Sequence, residues 1–258
     1  MRIIPSFKIT KGAQVFSFLG FPKNKLVVIW FFIGSILSAE PIFEAEVYLQ
    51  GTDSLIFYKI NEIQTFPDST ILIHKYLNVD QSLAAIDFVK LENNEISHAF
   101  TKFFQVDGKG EIIRKGNRLL MKFSNSKEVK EKDIDYPDDL LVGPLFNRYV
   151  HQHWQTLLSG KSMDFQLPAP EILQTATFTL KKVDSEYAKS NHVAFQLSPK
   201  NILLKLFVDE SYFIYDLQTM LLMSIHGNTI LKTKIDGKYT KTTNVDIYYR
   251  YPEMERKE

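Results

Sequence analysis

Two histidines, His151 and His153, stand close enough in the sequence to raise the question of a metal site. Imidazole nitrogens are common zinc ligands, and two of them on one side of an element would bind one ion together. Both residues fall in a predicted helix, where a spacing of two places side chains about 200° apart. We therefore expect no shared metal, with one histidine on the surface and one at the edge of a buried face.

Carboxylates form two groups that could do chemistry. Four aspartates lie within residues 133–139, and hard cations prefer such oxygen clusters, but the glycine and terminal glutamate of an EF-hand loop are missing. We interpret them as an acidic segment before a helix, where negative charge stabilises the positive end of the helix dipole. Glu44 and Glu46 share one face of a predicted strand, where paired carboxylates can serve acid–base catalysis. Alternation in that strand explains them better as a solvent-facing pair.

No recognisable enzyme motif accompanies these groups. The sequence has no GxSxG elbow, HExxH helix or kinase signature, and Gly108-Lys109-Gly110 is too short for a phosphate-binding loop and fits a hairpin turn. The chain contains no cysteine, which excludes disulfides, thiolate chemistry, cysteine-bound zinc and a lipid anchor on cysteine. We assign no catalytic residue, cofactor site or metal ligand, and we expect the protein not to be an enzyme.

The clearest helical pattern lies between Gly143 and Gly160. Pro144 suits the first helical position, because its missing N–H would be unpaired there, and Gly160 suits the left-handed residue beyond the end. Large apolar residues recur at helical spacing and form one stripe: Leu145, Phe146, Tyr149, Val150, Trp154, Leu157 and Leu158. The pattern predicts a helix over about 144–158 that covers one face of a sheet.

The rest of the chain is typical of β-strands. Residues 43–50 alternate between apolar and polar side chains, as in a half-buried strand. Similar segments follow on both sides of the helix, including one at residues 202–208, and short links join them. Parallel strands would need longer crossovers. We predict a mainly β fold, in which a curved antiparallel sheet or half-barrel wraps around the single helix.

Such a fold either fills its interior or leaves an apolar cavity. The chain has 20 phenylalanines, many at alternating positions of the predicted strands. If a cavity exists, the residues that we expect to bind a ligand are Phe146, Tyr149, Val150 and Trp154 of the helix and Phe178 of a strand.

Residues 1–39 have the pattern of a signal peptide with an unusually long basic region. Lys23 and Lys25 precede an uncharged run at 26–37, and Ser38-Ala39 offers small residues for cleavage. The alternative is an uncleaved inner-membrane anchor through 26–37. We expect a single β-rich domain over 40–258, in the periplasm or secreted. That part has 26 basic against 30 acidic residues, once the five basic residues of 1–39 are subtracted, which disfavours nucleic acid as a partner.

The helix and the segments after it resemble a group of uncharacterised exported bacterial proteins. The features are Trp154 and Gly160 at the end of the helix, followed by Phe165, Pro168 and Phe178–Leu180, with Tyr215-Asp216 and Gly227-Asn228 further on. More distantly, the layout is similar to the envelope lipoprotein carriers, in which a curved antiparallel sheet wraps a helix. That resemblance implies an apolar ligand, although the chain lacks the lipid-anchor cysteine of some relatives.

Three functions stay open at this point. The first is an exported, envelope-associated protein that binds a lipid or another apolar ligand inside the sheet. The second is a structural or interaction protein of the cell envelope that has no ligand. The third is a hydrolase with an unrecognised site, which the sequence disfavours because no nucleophile, base and orienting group are seen together. Oligomeric state has no signature in the sequence.

Overall fold

A computed structural model describes residues 41–201, 208–229, 231–235, 238–241 and 244–251, which belong to one compact unit. The predicted signal peptide and most of the strand predicted at 202–208 lie outside these residues. The strands before the helical segment are β1 (Pro41–Leu49), β2 (Leu55–Phe66), β3 (Ser69–Asn78), β4 (Leu83–Glu92), β5 (Glu95–Phe103), β6 (Gly108–Lys115), β7 (Arg118–Ser124) and β8 (Val129–Asp135). Those after it are β9 (Met163–Ala169), β10 (Gln174–Val183), β11 (His192–Pro199), β12 (Ser211–Asp216), β13 (Leu222–Asn228), β14 (Lys232–Ile235), β15 (Lys238–Lys241) and β16 (Asn244–Arg250).

Fourteen of the strands form one open antiparallel sheet, in the order β8-β7-β6-β5-β4-β3-β2-β1-β16-β13-β12-β11-β10-β9. Two meanders, β1–β8 and β9–β13, are joined by β16, which pairs with β1 on one side and β13 on the other. Strands β14 and β15 form a separate two-stranded antiparallel sheet. The prediction of a mainly β, curved antiparallel sheet around one helix is confirmed.

The helical segment is less regular than the sequence predicts. It begins as a 3₁₀ helix at Gly143–Leu145, continues as α1 (Phe146–Gln152), and resumes after His153 as α2 (Trp154–Leu158). His153 has φ −106° and ψ 15°, which interrupts the single helix expected over 144–158. Gly160 has a φ of 85°, so the predicted left-handed residue beyond the helix is confirmed.

The predicted apolar stripe is the face that packs on the sheet. Val150 and Leu157 are fully buried, and Trp154 makes edge-to-face contacts with Phe195 and Tyr215, whose ring centroids lie 5.6 and 5.8 Å away. The 3₁₀ start contacts β3 and β4 instead. The helical segment therefore touches both halves of the sheet, and it fills part of the space that the sheet encloses.

The two edges of the sheet are protected in different ways. The segment before the helix runs along β9. The Leu141 N–H donates to the backbone carbonyl of Gln166 over 2.9 Å, and the Gln166 N–H donates to the backbone carbonyl of Asp139 over 3.0 Å. The other edge, β8, is almost wholly exposed and rich in charge. Both arrangements limit pairing with another chain. In the described segments, no helix has the length and hydropathy needed to cross a membrane.

Candidate functional site

A cavity of about 1090 Å³ lies between the helical segment and the inner face of the sheet. The start of the 3₁₀ helix and α1 form one wall, and strands from both meanders form the others. Most of the lining side chains are apolar, among them Phe43, Leu72, Phe103, Ile112, Leu197, Phe213, Leu222 and Ile247. The volume lies just above the usual range of about 300–1,000 Å³ for small-molecule sites.

The five residues expected to bind a ligand separate into two groups. Phe146 and Phe178 line the cavity, and the Phe146 ring stacks on Phe213 with centroids 4.2 Å apart. Tyr149, Val150 and Trp154 are packed into the core around the helix and are not part of the lining. The cavity borders another side of α1, which lines it with Asn147, Arg148, His151 and Gln152, and Phe146 is the one stripe residue in the lining.

The polar residues singled out in the sequence do not assemble into a site. Glu46 accepts hydrogen bonds from Tyr48 and Arg250, and Glu44 is exposed. His151 bonds to the carbonyl of Met220, whereas the ring of His153 packs against Tyr149. The acidic residues before the helix are divided, since those on β8 pair with Arg118 and Asp139 bonds to Gln166. Within the described residues, no three His, Asp or Glu side chains converge as a metal site would require.

A row of polar side chains crosses the cavity wall where none was predicted. Asn61 on β2 stands opposite His74 on β3, His74 opposite Asp87 on β4, and Asp87 opposite Thr101 on β5. Directly opposite residues have their Cβ atoms about 5 Å apart, so these four side chains are neighbours. All four line the cavity, and the first three are at least nine-tenths buried.

Lys59 lies two residues before Asn61 on β2, on the same face of the sheet, and is 7% exposed. Its ammonium donates to the Tyr249 hydroxyl over 3.2 Å and lies 5.6 and 5.5 Å from the ring centres of Tyr76 and Tyr249. Ala45, which stands between Lys59 and Tyr249 in the sheet, is small enough to leave this path open. Burial lowers the pKa of Lys59 to about 8, opposed by the charge of Asp87.

Lys59 forms no salt bridge with any residue that the structure describes. An ammonium carries three N–H donors, and the Tyr249 hydroxyl takes one. Removing a charge from water without a partner costs several kcal/mol. The aromatic rings on either side offset part of that cost, but two donors remain unpaired beside the cavity.

Asp87 is held by neutral donors. The Thr101 hydroxyl donates to Oδ1 over 2.6 Å and the Tyr76 hydroxyl to Oδ2 over 3.3 Å. Burial raises the pKa of Asp87, while these hydrogen bonds and the charge of Lys59 oppose the rise. The 3₁₀ helix begins directly above this carboxylate, since a Cβ on Gly143 would lie 3.9 Å from Oδ2.

His74 and Asn61 complete the polar wall and have unused hydrogen-bonding capacity. No described residue forms a hydrogen bond with the His74 ring, and burial, followed by the charge of Lys59, lowers its pKa well below the ordinary value. Oδ1 of Asn61 is buried without a partner. Buried polar groups usually form hydrogen bonds. This wall is unusual, because some of its hydrogen-bond donors and acceptors have no partner among the described residues.

A second constellation lies on the opposite face of the sheet. The Ser224 hydroxyl is 2.8 Å from Nε2 of His226, and Nδ1 of His226 is 2.7 Å from Oδ1 of Asp246. A nucleophile, a base and a carboxylate that orients the base are the parts of a hydrolytic triad. Ile225 and Ile247 alternate with these residues and line the cavity, so the triad side chains point outward.

The loop between β10 and β11 covers this group. The Tyr187 ring stacks on His226 with centroids 3.9 Å apart and planes 6° from parallel. Ser224 and His226 are 6% and 5% exposed, so a substrate reaches Ser224 only if Tyr187 moves. The spacing of the triad, Ser-x-His on one strand and Asp twenty residues later, matches no motif, and only the pairing of β13 with β16 brings the residues together.

The sequence did not predict the polar wall either, because its residues come together only through strand pairing. Strand β2 carries large residues in both alternating phases: Phe57 and Ile63 face inward with Lys59 and Asn61, whereas Ile56 and Ile60 occupy the other face. The two polar residues within the inward phase were the available signal. Their meaning appears only when β2, β3 and β4 align.

The fold and the site define a mainly β protein whose open antiparallel sheet wraps a helical segment and encloses a partly polar cavity. Comparison of the chain with protein-family models, curated proteins and solved structures finds no match. The function is therefore argued from the geometry, and the resemblance to exported bacterial proteins stays a prediction.

Proposed function

We propose that this protein is a binding module for a lipid or another apolar ligand, exported to the periplasm or secreted, and associated with the cell envelope. The observation that carries the proposal is the cavity of about 1090 Å³ with its largely apolar lining. The basic flank at Lys23 and Lys25 and the uncharged run at 26–37 support export.

The energetics of an alkyl chain fit such a space. Each methylene group that leaves water for an apolar site contributes about 0.8 kcal/mol, so a chain of moderate length binds without many polar contacts. Phe146 and Phe213 provide a rigid, stacked surface on one side, and the inner faces of the two meanders provide the others.

Titration with an environment-sensitive fatty-acid probe tests the proposal. We expect saturable binding at micromolar concentration, together with co-purified lipid in native mass spectra of protein isolated from its own host. Neither signal would be seen for a structural protein of the envelope with no ligand. That result would remove the binding function and leave the structural alternative.

The hydrogen-bonded set Ser224–His226–Asp246 supports a second candidate, an ester hydrolase. Ser224 would attack the acyl carbonyl and pass its proton to His226, which returns it to the leaving alcohol; water would then release the acid. A fluorophosphonate probe should label Ser224 in the wild type or, if the loop blocks access, in Tyr187→Ala. Labelling lost in Ser224→Ala would support the hydrolase, and no labelling of either protein would remove it.

A further inference from the structure

The most unusual feature of the cavity is a buried cation that forms no salt bridge with any described residue, although Asp87 lies near enough to act on its pKa. Lys59 is 93% buried and bonded only to the neutral hydroxyl of Tyr249. Asn61 and His74, on the same wall, have unused hydrogen-bonding capacity as well. Three such groups on one wall of a largely apolar cavity indicate that the wall contacts something polar when the protein is occupied.

We propose that the wall formed by Lys59, Asn61 and His74 binds the head group of a single-chain carboxylate amphiphile, whose alkyl chain lies in the apolar part of the cavity. The inference rests on the proposed binding function and names the ligand class. The two free N–H groups of Lys59 donate to the carboxylate oxygens, and the amide NH2 of Asn61 and a ring N–H of His74 are the groups on this wall that can donate further hydrogen bonds.

The choice of an anionic head follows from the ammonium charge of Lys59, whose only hydrogen-bond partner among the described residues is the neutral Tyr249 hydroxyl. A charge-assisted hydrogen bond is roughly twice as strong as a neutral one, and a ligand carboxylate would bond directly to the ammonium, which Asp87 does not. A neutral hydroxyl would accept one hydrogen bond but leave the ammonium charge unbalanced. The apolar remainder of the cavity suits one chain that extends away from the head.

Asp87 is the neighbouring negative group, and its contacts make it compatible with an anion. Each of its oxygens is already taken by a hydroxyl donor, Thr101 or Tyr76. A second carboxylate nearby favours protonation of Asp87, because like charges at short range raise a carboxyl pKa. Removing the charge of Asp87 should therefore preserve carboxylate binding or strengthen it, whereas removing the charge of Lys59 should abolish the preference.

Calorimetric titration of the full chain with dodecanoic acid and with 1-dodecanol tests the inference. The two compounds share chain length and differ in the head group. We expect the acid to bind at least about tenfold more tightly to the wild type, and we expect Lys59→Met to reduce that ratio to about one while alcohol binding is retained. Asp87→Asn should keep the preference for the acid.

Lys75→Met is the matched control, because Lys75 lies on the neighbouring strand, faces the outside of the sheet and pairs with Glu62. Its acid-to-alcohol ratio should equal that of the wild type, and urea unfolding confirms that each variant is folded. Equal binding of both compounds to the wild type, or a preference that survives Lys59→Met, overturns the head-group inference and leaves the binding function standing. Failure of both compounds to bind overturns the binding function itself.

Discussion

The ammonium of Lys59 on β2 donates a hydrogen bond to the hydroxyl of Tyr249 on β16, across the intervening strand β1. The two residues are 190 positions apart in the chain. Ala45 is opposite both of them, and a larger side chain there would separate the pair. This contact joins the first meander to the strand that links it to the second, and it orients the only buried ammonium among the described side chains toward the cavity.

The buried charge of Lys59 should make stability depend on pH. Its pKa of about 8 in the folded state lies below the value of about 10.4 for an unfolded lysine. Above about pH 8 the unfolded chain binds more protons at this site, so the free energy of unfolding should rise by about 1 kcal/mol per pH unit. In Lys59→Met this component should vanish.

The window for this measurement ends near pH 10. Burial raises the pKa of Tyr76, which lies in the folded state beside Asp87, and also that of Tyr249. Unfolded tyrosines ionise first, so stability should fall with pH above about 10. Urea unfolding of the wild type, Lys59→Met and Lys75→Met at several pH values separates the two effects. A rise of equal size in all three proteins would contradict the assignment to Lys59.

Trp154 should be a major contributor to stability. Its ring is 5% exposed and contacts Phe195 and Tyr215. Truncation to alanine leaves a large cavity in the core and should cost about 3–5 kcal/mol. Gln155→Ala, at the next residue but exposed, should change stability by less than about 0.5 kcal/mol. Similar urea midpoints for the two variants would show that the helical segment is not packed as described.

Phe178 should control the volume available to a ligand. It lines the cavity opposite Phe165 on β9, so Phe178→Trp should reduce the free volume and weaken binding of the fatty-acid probe. Phe66→Trp is the control, since Phe66 is 48% exposed at the end of β2. The dissociation constant of the probe, measured by fluorescence titration, should be higher for Phe178→Trp than for Phe66→Trp. An unchanged affinity in Phe178→Trp would place the probe elsewhere.

Two glycines test how closely the backbone is packed. Gly227 has a φ of 149°, and a Cβ there would lie 2.7 Å from Cα of Ser211 on the paired strand. Gly116 also has a positive φ, of 63°, but a Cβ would meet nothing within 4 Å. Gly116→Ala should cost about 1–2 kcal/mol from backbone strain. Gly227→Ala adds an overlap and should cost more than about 3 kcal/mol by urea unfolding.

The predicted signal peptide leads to a separate prediction, which depends only on the sequence. We expect the mature protein in its native host to begin at or within a few residues of Glu40, after Ser38-Ala39. N-terminal sequencing decides the point. An intact segment 1–39 in the membrane fraction would instead favour the anchor through 26–37.

The sequence alone determined the features that depend on local periodicity. Alternation correctly placed Phe43, Ala45 and Val47 on the buried face of β1, and helical spacing identified the stripe that includes Val150 and Trp154. Gly160 was predictable because few other residues adopt a positive φ. Side-chain direction repeats every two residues in a strand and every 3.6 in a helix, so each of these patterns is readable within one segment.

Only the tertiary structure decided which distant segments meet. The pairing of β16 with β1 on one side and β13 on the other joins the two meanders into one sheet, and register across β2, β3 and β4 aligns Asn61, His74 and Asp87. No local pattern encodes such a register, because it follows from packing between strands that are far apart in the chain. The inward side of β2 was also undetermined, since both of its faces carry large side chains. For this reason the polar wall of the cavity and the Ser224–His226–Asp246 set could be identified only in the folded sheet.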